Sequence, residues 1–280
     1  MSKPTLRMIT GFGIVTADLP RLVQFYRDVL GFAVQGEERP IDQAEIALLG
    51  LSGNGRRQVM SLDRQTISID QFEQTGRPYP PGSDAASLWF QHLAIVVSNM
   101  GEAFAQLRDV VPISQGGPQQ LLSSSGGVQA FKFRDPDGHP LELLQFPRDR
   151  TPNAWRTDQR SVGQIGLGID HSAVSVADAD ASAAFYRALG LNTGDRTLNE
   201  GPEQQRLDAL RGVKVAVVPM VPLEGTPHLE LLGYQIPSAD RGPPLKANDV
   251  AATRIIWGGS EATLIRDPDG HLHQVHEYGC

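Results

Sequence analysis

The chain has seven histidines, and most of them stand in apolar runs that also carry carboxylates or amides. His92 lies in "QHLAIVV", His171 in "IDHSAVSV", and His228 two residues before Glu230 in "TPHLELLGY". Glu142 stands in "GHPLELLQF", and His273 and His276 flank Gln274 in "DPDGHLHQVHEY". Side chains alternate along a strand, so His228, Glu230 and Leu232 share one face, as do Leu272, Gln274 and His276. Imidazole nitrogens and side-chain oxygens on such faces form a mixed donor set that suits Fe2+, Mn2+, Zn2+, Ni2+ or Co2+. The same groups carry protons in acid–base chemistry. Plainer roles compete with these. A Glu in "LELL" can be a carboxylate bonded to a backbone N–H or an Arg, and His139 and His271, each just after a glycine, suit a turn or strand start. His273 should point away from that face, to solvent or into packing. No GxGxxG, P-loop, CxxC or Ser-nucleophile elbow occurs, so nucleotide cofactors and acyl-enzyme chemistry have no support.

Repeats predict the elements that position these residues. "RDPDGH" occurs at 134–139 and again at 266–271, each time between apolar stretches. Asp-Pro-Asp-Gly fits a type I turn, so each copy predicts a β-hairpin. A second repeat matches "GFGIVTADLPRLVQFYRDVLGF" with "HSAVSVADADASAAFYRALGL". Both read as a strand, an Asp cap (Asp18, Asp178) and an amphipathic helix ending at Gly, with Leu22, Phe25, Tyr26 and Val29 as the apolar stripe of the first. A third version spans 92–110, capped by Ser98 or Asn99. Four units result, at about 8–74, 88–147, 168–236 and 248–279, the last without its helix. The polar stretch 148–167 reads as a linker between halves.

Composition narrows the class. The chain is 40% hydrophobic and 20% charged, with 29 Gly and 20 Pro, as expected of a globular domain rich in turns. A net charge of −7 argues against a nucleic-acid footprint. No run is long enough for a membrane span, and no apolar leader is visible at the start. One cysteine, Cys280, excludes a disulfide framework and predicts a reducing, cytoplasmic setting.

The unit order, the FYR helix ends and the DPDGH hairpins resemble the vicinal oxygen chelate superfamily, which includes glyoxalase I, bleomycin-resistance proteins and type I extradiol dioxygenases. The resemblance implies an α+β fold of four βαβββ-type modules paired into two cup-shaped, barrel-like domains, 1–147 and 168–280, with the last module truncated. It implies metal donors on the first and last strand of each module. Those slots hold Gly11 and Ser68 in module one, His92 and Glu142 in module two, and His171 and Glu230 in module three. In module four they hold Gln274 and, in a loose register, Asp249. The C-terminal cup is then expected to bind a divalent metal through His171, Glu230 and Gln274, with His92 and Glu142 as a weaker N-terminal pair. Glu230 and His276 are the catalytic candidates, and His228 and Arg206 the substrate-binding ones. Arg206 comes from "GPEQQRLDAL", a helical turn placed to cover a cup mouth with Glu203 and Gln204, or to be an ordinary connecting helix. The extradiol triad of two His and one Glu is not reproduced, because module four lacks its histidine and has Gln274. The implied function is a metal-dependent enzyme acting on a small oxygenated or aromatic substrate, as a dioxygenase or as a lyase or isomerase. The alternative is a metal-free protein that sequesters a small molecule. No nucleic-acid or membrane partner is implied; a homodimer, or cups formed by exchange between chains, stays open.

Overall fold

The computed structural model describes residues 4–155, 166–223, 226–235 and 244–278. Cys280 and half of the expected linker, 156–165, lie outside the described residues. Module one contains β1 (Leu6–Val15), α1 (Leu19–Asp28), β2 (Ala33–Pro40), α2 (Gln43–Leu48), β3 (Gly55–Leu62) and β4 (Gln65–Phe72). Module two contains β5 (Gln91–Val97), α3 (Met100–Gln106), β6 (Val111–Pro112), β7 (Gln119–Gln120), β8 (Gln129–Arg134) and β9 (Pro140–Gln145). Module three contains β10 (Gly166–Ser175), α4 (Ala179–Arg187), β11 (Asn192–Thr193), β12 (Thr197–Glu200), α5 (Pro202–Asp208), β13 (Lys214–Val221) and β14 (His228–Tyr234). Module four has β15 (Arg254–Gly259), β16 (Thr263–Arg266) and β17 (Leu272–Glu277), with no helix among its described residues. No described helix is long and apolar enough to cross a membrane.

Local chemistry sets these elements as expected. The Asp18, Asn99 and Asp178 side chains accept from backbone N–H groups in the first turns of α1, α3 and α4. Leu22 and Tyr26 are fully buried on the stripe of α1. Gly138 and Gly270 close the two DPDG turns at φ +97° and +100°, a backbone region that glycine enters without strain.

The pairing of modules differs from the expected one. One sheet runs β16-β17-β15-β1-β4-β3-β2 and so joins modules one and four. The other runs β11-β13-β14-β10-β5-β9-β8-β6, with β12 on β13 and β7 on β8, and joins modules two and three. Two first strands meet antiparallel in each, β1 with β15 and β5 with β10. Strand pairing follows backbone hydrogen bonding and side-chain fit rather than chain proximity, and the 73–90 loop is long enough to carry the chain between sheets.

Module one is joined to two, and three to four, by the repeated motifs instead. Tyr26 of the first FYR donates to Asp135 of the first hexapeptide at 3.3 Å. Tyr186 of the second FYR donates to Asp267 of the second at 2.8 Å. His139 bonds Asp135 (2.8 Å) and donates to the Val250 carbonyl (2.9 Å); His271 donates to the Ser175 carbonyl (2.9 Å). These histidines are structural turn residues, as expected. Of the two roles expected for His273, packing is the one observed: it is fully buried between Tyr186 Oη (2.9 Å) and the Trp257 indole N–H (3.0 Å). Burial, with His271 nearby, lowers its pKa to about 4, so it stays neutral. A core cluster with Phe12, Tyr26, Leu93, Phe133, Ile169, Tyr186 and Trp257 draws on all four modules.

Tyr186→Phe removes the bond to Asp267 and strands the His273 N–H, and should cost about 1–3 kcal/mol in urea unfolding. Tyr26→Phe, at a longer bond, should cost less than Tyr186→Phe in the same experiment.

Candidate metal centre

Four first and last strands lie side by side in the middle of the larger sheet, in the order β14, β10, β5, β9. His92 stands opposite Ala173, which stands opposite Glu230. His171 stands opposite Ala94, which stands opposite Glu142. Directly paired residues project from the same face, so these rows place two histidines and two glutamates around two alanines. The small alanine side chains leave room between the donors.

The four donors converge. His92 Nε2 is 2.8 Å from a Glu142 oxygen; His171 Nε2 is 3.9 Å from Glu142 and 3.5 Å from Glu230. Donor atoms of His92, Glu142 and His171 all lie within 4.8 Å of one another. His92 and His171 are buried, and the Glu230 side chain is 19% exposed. The His92–Glu142 approach is off the line a hydrogen bond needs, and neither His92 ring nitrogen has a hydrogen-bond partner among the described residues. A buried polar atom ordinarily finds one. A buried imidazole nitrogen 2.8 Å from a carboxylate, with no hydrogen bond between them, is an arrangement that a cation shared by the two would satisfy.

The other histidine is oriented from behind. His171 Nδ1–H donates to Asp170 at 3.0 Å, and Asp170 also accepts from the Trp155 indole at 2.8 Å. This leaves Nε2 to face the two glutamates, the arrangement that steadies metal-bound histidines. Trp155 belongs to the stretch expected to be linker, where 148–155 makes two short 3-10 turns. Burial opposes charge on His171, but Glu230, Asp170 and Glu142 outweigh it and raise its pKa to about 9. Burial likewise opposes charge on the glutamates. Lys132, His92 and His171 bring Glu142 down to about 2, and His171 and His228 bring Glu230 to about 2. Burial, then the Lys132 charge, lowers the His92 pKa, which keeps its ring neutral and its lone pair free.

These residues line a cavity of about 240 Å³ with Leu121, Leu144, Leu207, Val217 and Leu232 among its walls. His228, the other substrate-binding candidate, is not among its walls; it lies 3.4 Å from Glu230. Arg206 is exposed and turned to Gln119 (2.7 Å) and Glu203 (3.6 Å), so it does not reach the cavity as expected. Gln204 of the same helix does.

The metal set expected in the C-terminal half is not assembled. Gln274 and His276 lie in the other sheet, where Gln274 donates to Glu45 (2.7 Å) and to His276 (3.2 Å), and His276 is exposed. His92 and Glu142, expected to be a weak separate pair, lie beside His171 and Glu230 instead. Asp249 is not in a donor slot; it binds the Arg77 backbone N–H (2.7 Å) and guanidinium (2.6 Å). Module four's first slot is Arg254: it precedes Ile256, opposite Gln274, as His92 precedes Ala94, opposite Glu142. A search for a histidine passed over it, although "TRIIW" aligns with "QHLAI".

The second cup is thus filled with internal charge pairs. Fully buried Arg254 pairs with Asp70, which also takes Arg57 (2.6 Å); Arg57 in turn holds Glu45 (2.8 Å). Gly13, opposite Arg254, is required here: a Cβ would lie 2.5 Å from the guanidinium. Ile46 of α2, Leu49, Ala247, Ala252 and Leu272 fill the remaining space.

Two outcomes follow from this geometry. Metal uptake near pH 7 should release about one proton, from His171, and apparent affinity should rise about tenfold per pH unit until pH 9 and then level off. Calorimetry in buffers of different ionisation enthalpy would count that proton. Arg254→Met should cost about 3 kcal/mol in denaturation, by leaving Asp70 with one cation in place of two, while metal uptake is unchanged.

The profile of the family described as "Glyoxalase/Bleomycin resistance protein/Dioxygenase superfamily" matches residues 8–143. A lactoylglutathione lyase of Schizosaccharomyces pombe is 24% identical over 189 residues, which cover 64% of this chain and 58% of that protein. A virulence protein of Salmonella typhimurium is 22% identical over 138 residues, covering 48% of this chain and 80% of its own length. Among solved structures, glyoxalase I from Zea mays superposes with a TM-score of 0.61 at 14% identity, covering 97% of this chain and 92% of that one. In its module order, its hairpins and its fold the chain is similar to the glyoxalase/bleomycin resistance protein/dioxygenase superfamily, the vicinal oxygen chelate group, whose profile residues 8–143 match.

Proposed function

We propose that the chain is a metal-dependent enzyme with one centre, held by His92, Glu142, His171 and Glu230, that takes a small substrate through two neighbouring oxygens and acts as a lyase or isomerase. The observation that carries this reading is the convergence of two imidazoles and two carboxylates from four strands in one buried cavity. Mixed N/O donors suit Fe2+, Mn2+, Zn2+, Ni2+ or Co2+. Such an ion would act as a Lewis acid on the substrate oxygens.

The donor count favours proton transfer over ring cleavage. Non-haem iron oxygenases use two histidines and one carboxylate. Here a second carboxylate is present, so one of the two can carry a proton. Glu230 is the better candidate, since its side chain is 19% exposed against 8% for Glu142. Protonated His171 helps to hold Glu230 at a low pKa. His228, 3.4 Å away and itself 19% exposed, is placed to pass a proton from Glu230 to solvent. The apolar walls keep bulk water from the reacting atoms.

Lactoylglutathione, named by the fission-yeast relative, is the first compound to assay. Protein purified without chelator should carry one metal per chain, and His92→Ala and His171→Ala should lose it. Glu230→Gln should retain metal and lower kcat about 100-fold or more. Metal-free protein that binds an apolar ligand tightly and turns nothing over would overturn the reading in favour of sequestration.

A further inference from the structure

One wall of the cavity is a polar cluster that the metal donors do not use. It is built on α5, which belongs to module three but is held by module two. Ser114 Oγ donates to the Leu207 carbonyl at 3.0 Å, and the Gln115 N–H donates to the Arg206 carbonyl at 2.8 Å. Leu207 packs with Leu121, Val128, Ala130 and Leu144 of module two. The helix therefore bridges the two modules that supply the four donors.

Asp208, at the end of α5, is almost fully buried and binds three side chains. One oxygen accepts from Lys132 Nζ at 2.6 Å; the other accepts from Tyr234 Oη at 3.0 Å and Gln204 Nε2 at 2.7 Å. Lys132, Tyr234 and Gln204 all line the cavity. A carboxylate can only accept, so it decides which end of the Gln204 amide faces it. The nitrogen must turn to Asp208, and Oε1 must turn away. That oxygen is buried and has no hydrogen-bond partner among the described residues. Gln204 as a whole is 4% exposed. A buried acceptor without a donor is costly, and a donor on a bound molecule removes that cost.

We propose that Gln204 determines substrate specificity: the molecule taken by this cavity carries a hydroxyl or N–H, apart from its chelating oxygens, that donates to Gln204 Oε1. This rests on the metal-centre reading above. Asp208 already neutralises Lys132, so this wall has no spare cation for a second carboxylate on the ligand. A neutral donor is the group that fits.

The test uses cobalt-loaded protein and simple hydroxamates, which present two neighbouring oxygens to a metal. Alkyl hydroxamates with one to four methylenes are paired with the same chains ending in hydroxyl or carboxylate, and affinity is read from the cobalt spectrum. At one chain length the hydroxyl should improve affinity about tenfold over the methyl analogue, with no such gain from carboxylate. Gln204→Met and Gln204→Leu should abolish that gain, leave cobalt uptake unchanged, and alter alkyl hydroxamate affinity by no more than about threefold. The proposal is overturned if no chain length shows a hydroxyl advantage, if the carboxylate gains as much, or if the advantage survives both substitutions. Hydroxamates that never perturb bound cobalt would instead bring down the metal centre itself, and this proposal with it.

Discussion

The antiparallel pairing of β5 with β10 is the contact on which the site depends. Its register places His92 beside Ala173 and His171 beside Ala94, and the flanking parallel strands then bring in Glu142 and Glu230. A shift of one residue would put His92 and Glu142 on the face opposite His171 and Glu230. The backbone ladder thus performs the positioning, and the side chains need little freedom of their own. Asp170 and Trp155 remove what remains for His171.

The two sheets solve the same problem of buried polarity in different ways. In one, the four slots hold His92, Glu142, His171 and Glu230, and the charges face a cavity. In the other they hold Gly11, Ser68, Arg254 and Gln274, and the charges face each other. Buried charges must be paired or bound to a counter-ion. Arg254 and Arg57 against Asp70 and Glu45 meet that demand within the chain. The first cup holds more carboxylate than its neutral His92 and single protonated His171 offset, with Lys132 already claimed by Asp208. That imbalance is the electrostatic reason a cation suits it.

The Tyr–Asp bonds give the repeated sequences their role. Each FYR tyrosine reaches the hexapeptide of the next module, so chain neighbours are tied helix to hairpin while the sheets pair across the chain. α5 adds a further tie over the cavity, through Asp208 to Lys132. The element that closes the cavity and the element that reads its contents are then one short helix.

The amino-acid sequence by itself determined the local units. Turn glycines, Asp caps and the apolar stripe of α1 act over a few residues, so their meaning does not depend on the rest of the chain. The resemblance marked His92, Glu142, His171 and Glu230 as strand-borne candidate donors, and alternation added only which residues of one strand share a face. Which of them meet was not legible, because strand pairing between distant modules is decided by backbone ladders and side-chain fit that leave no period in the sequence. Chain proximity suggested modules three and four. The tertiary structure joined three with two, which brought His92 and Glu142 beside His171 and Glu230 as one candidate cluster and left Gln274 and Arg254 to an internal charge network. The acceptor role of Gln204 is a tertiary property too: only the fold brings Asp208 against one end of its amide and leaves the other end without a donor among the described residues.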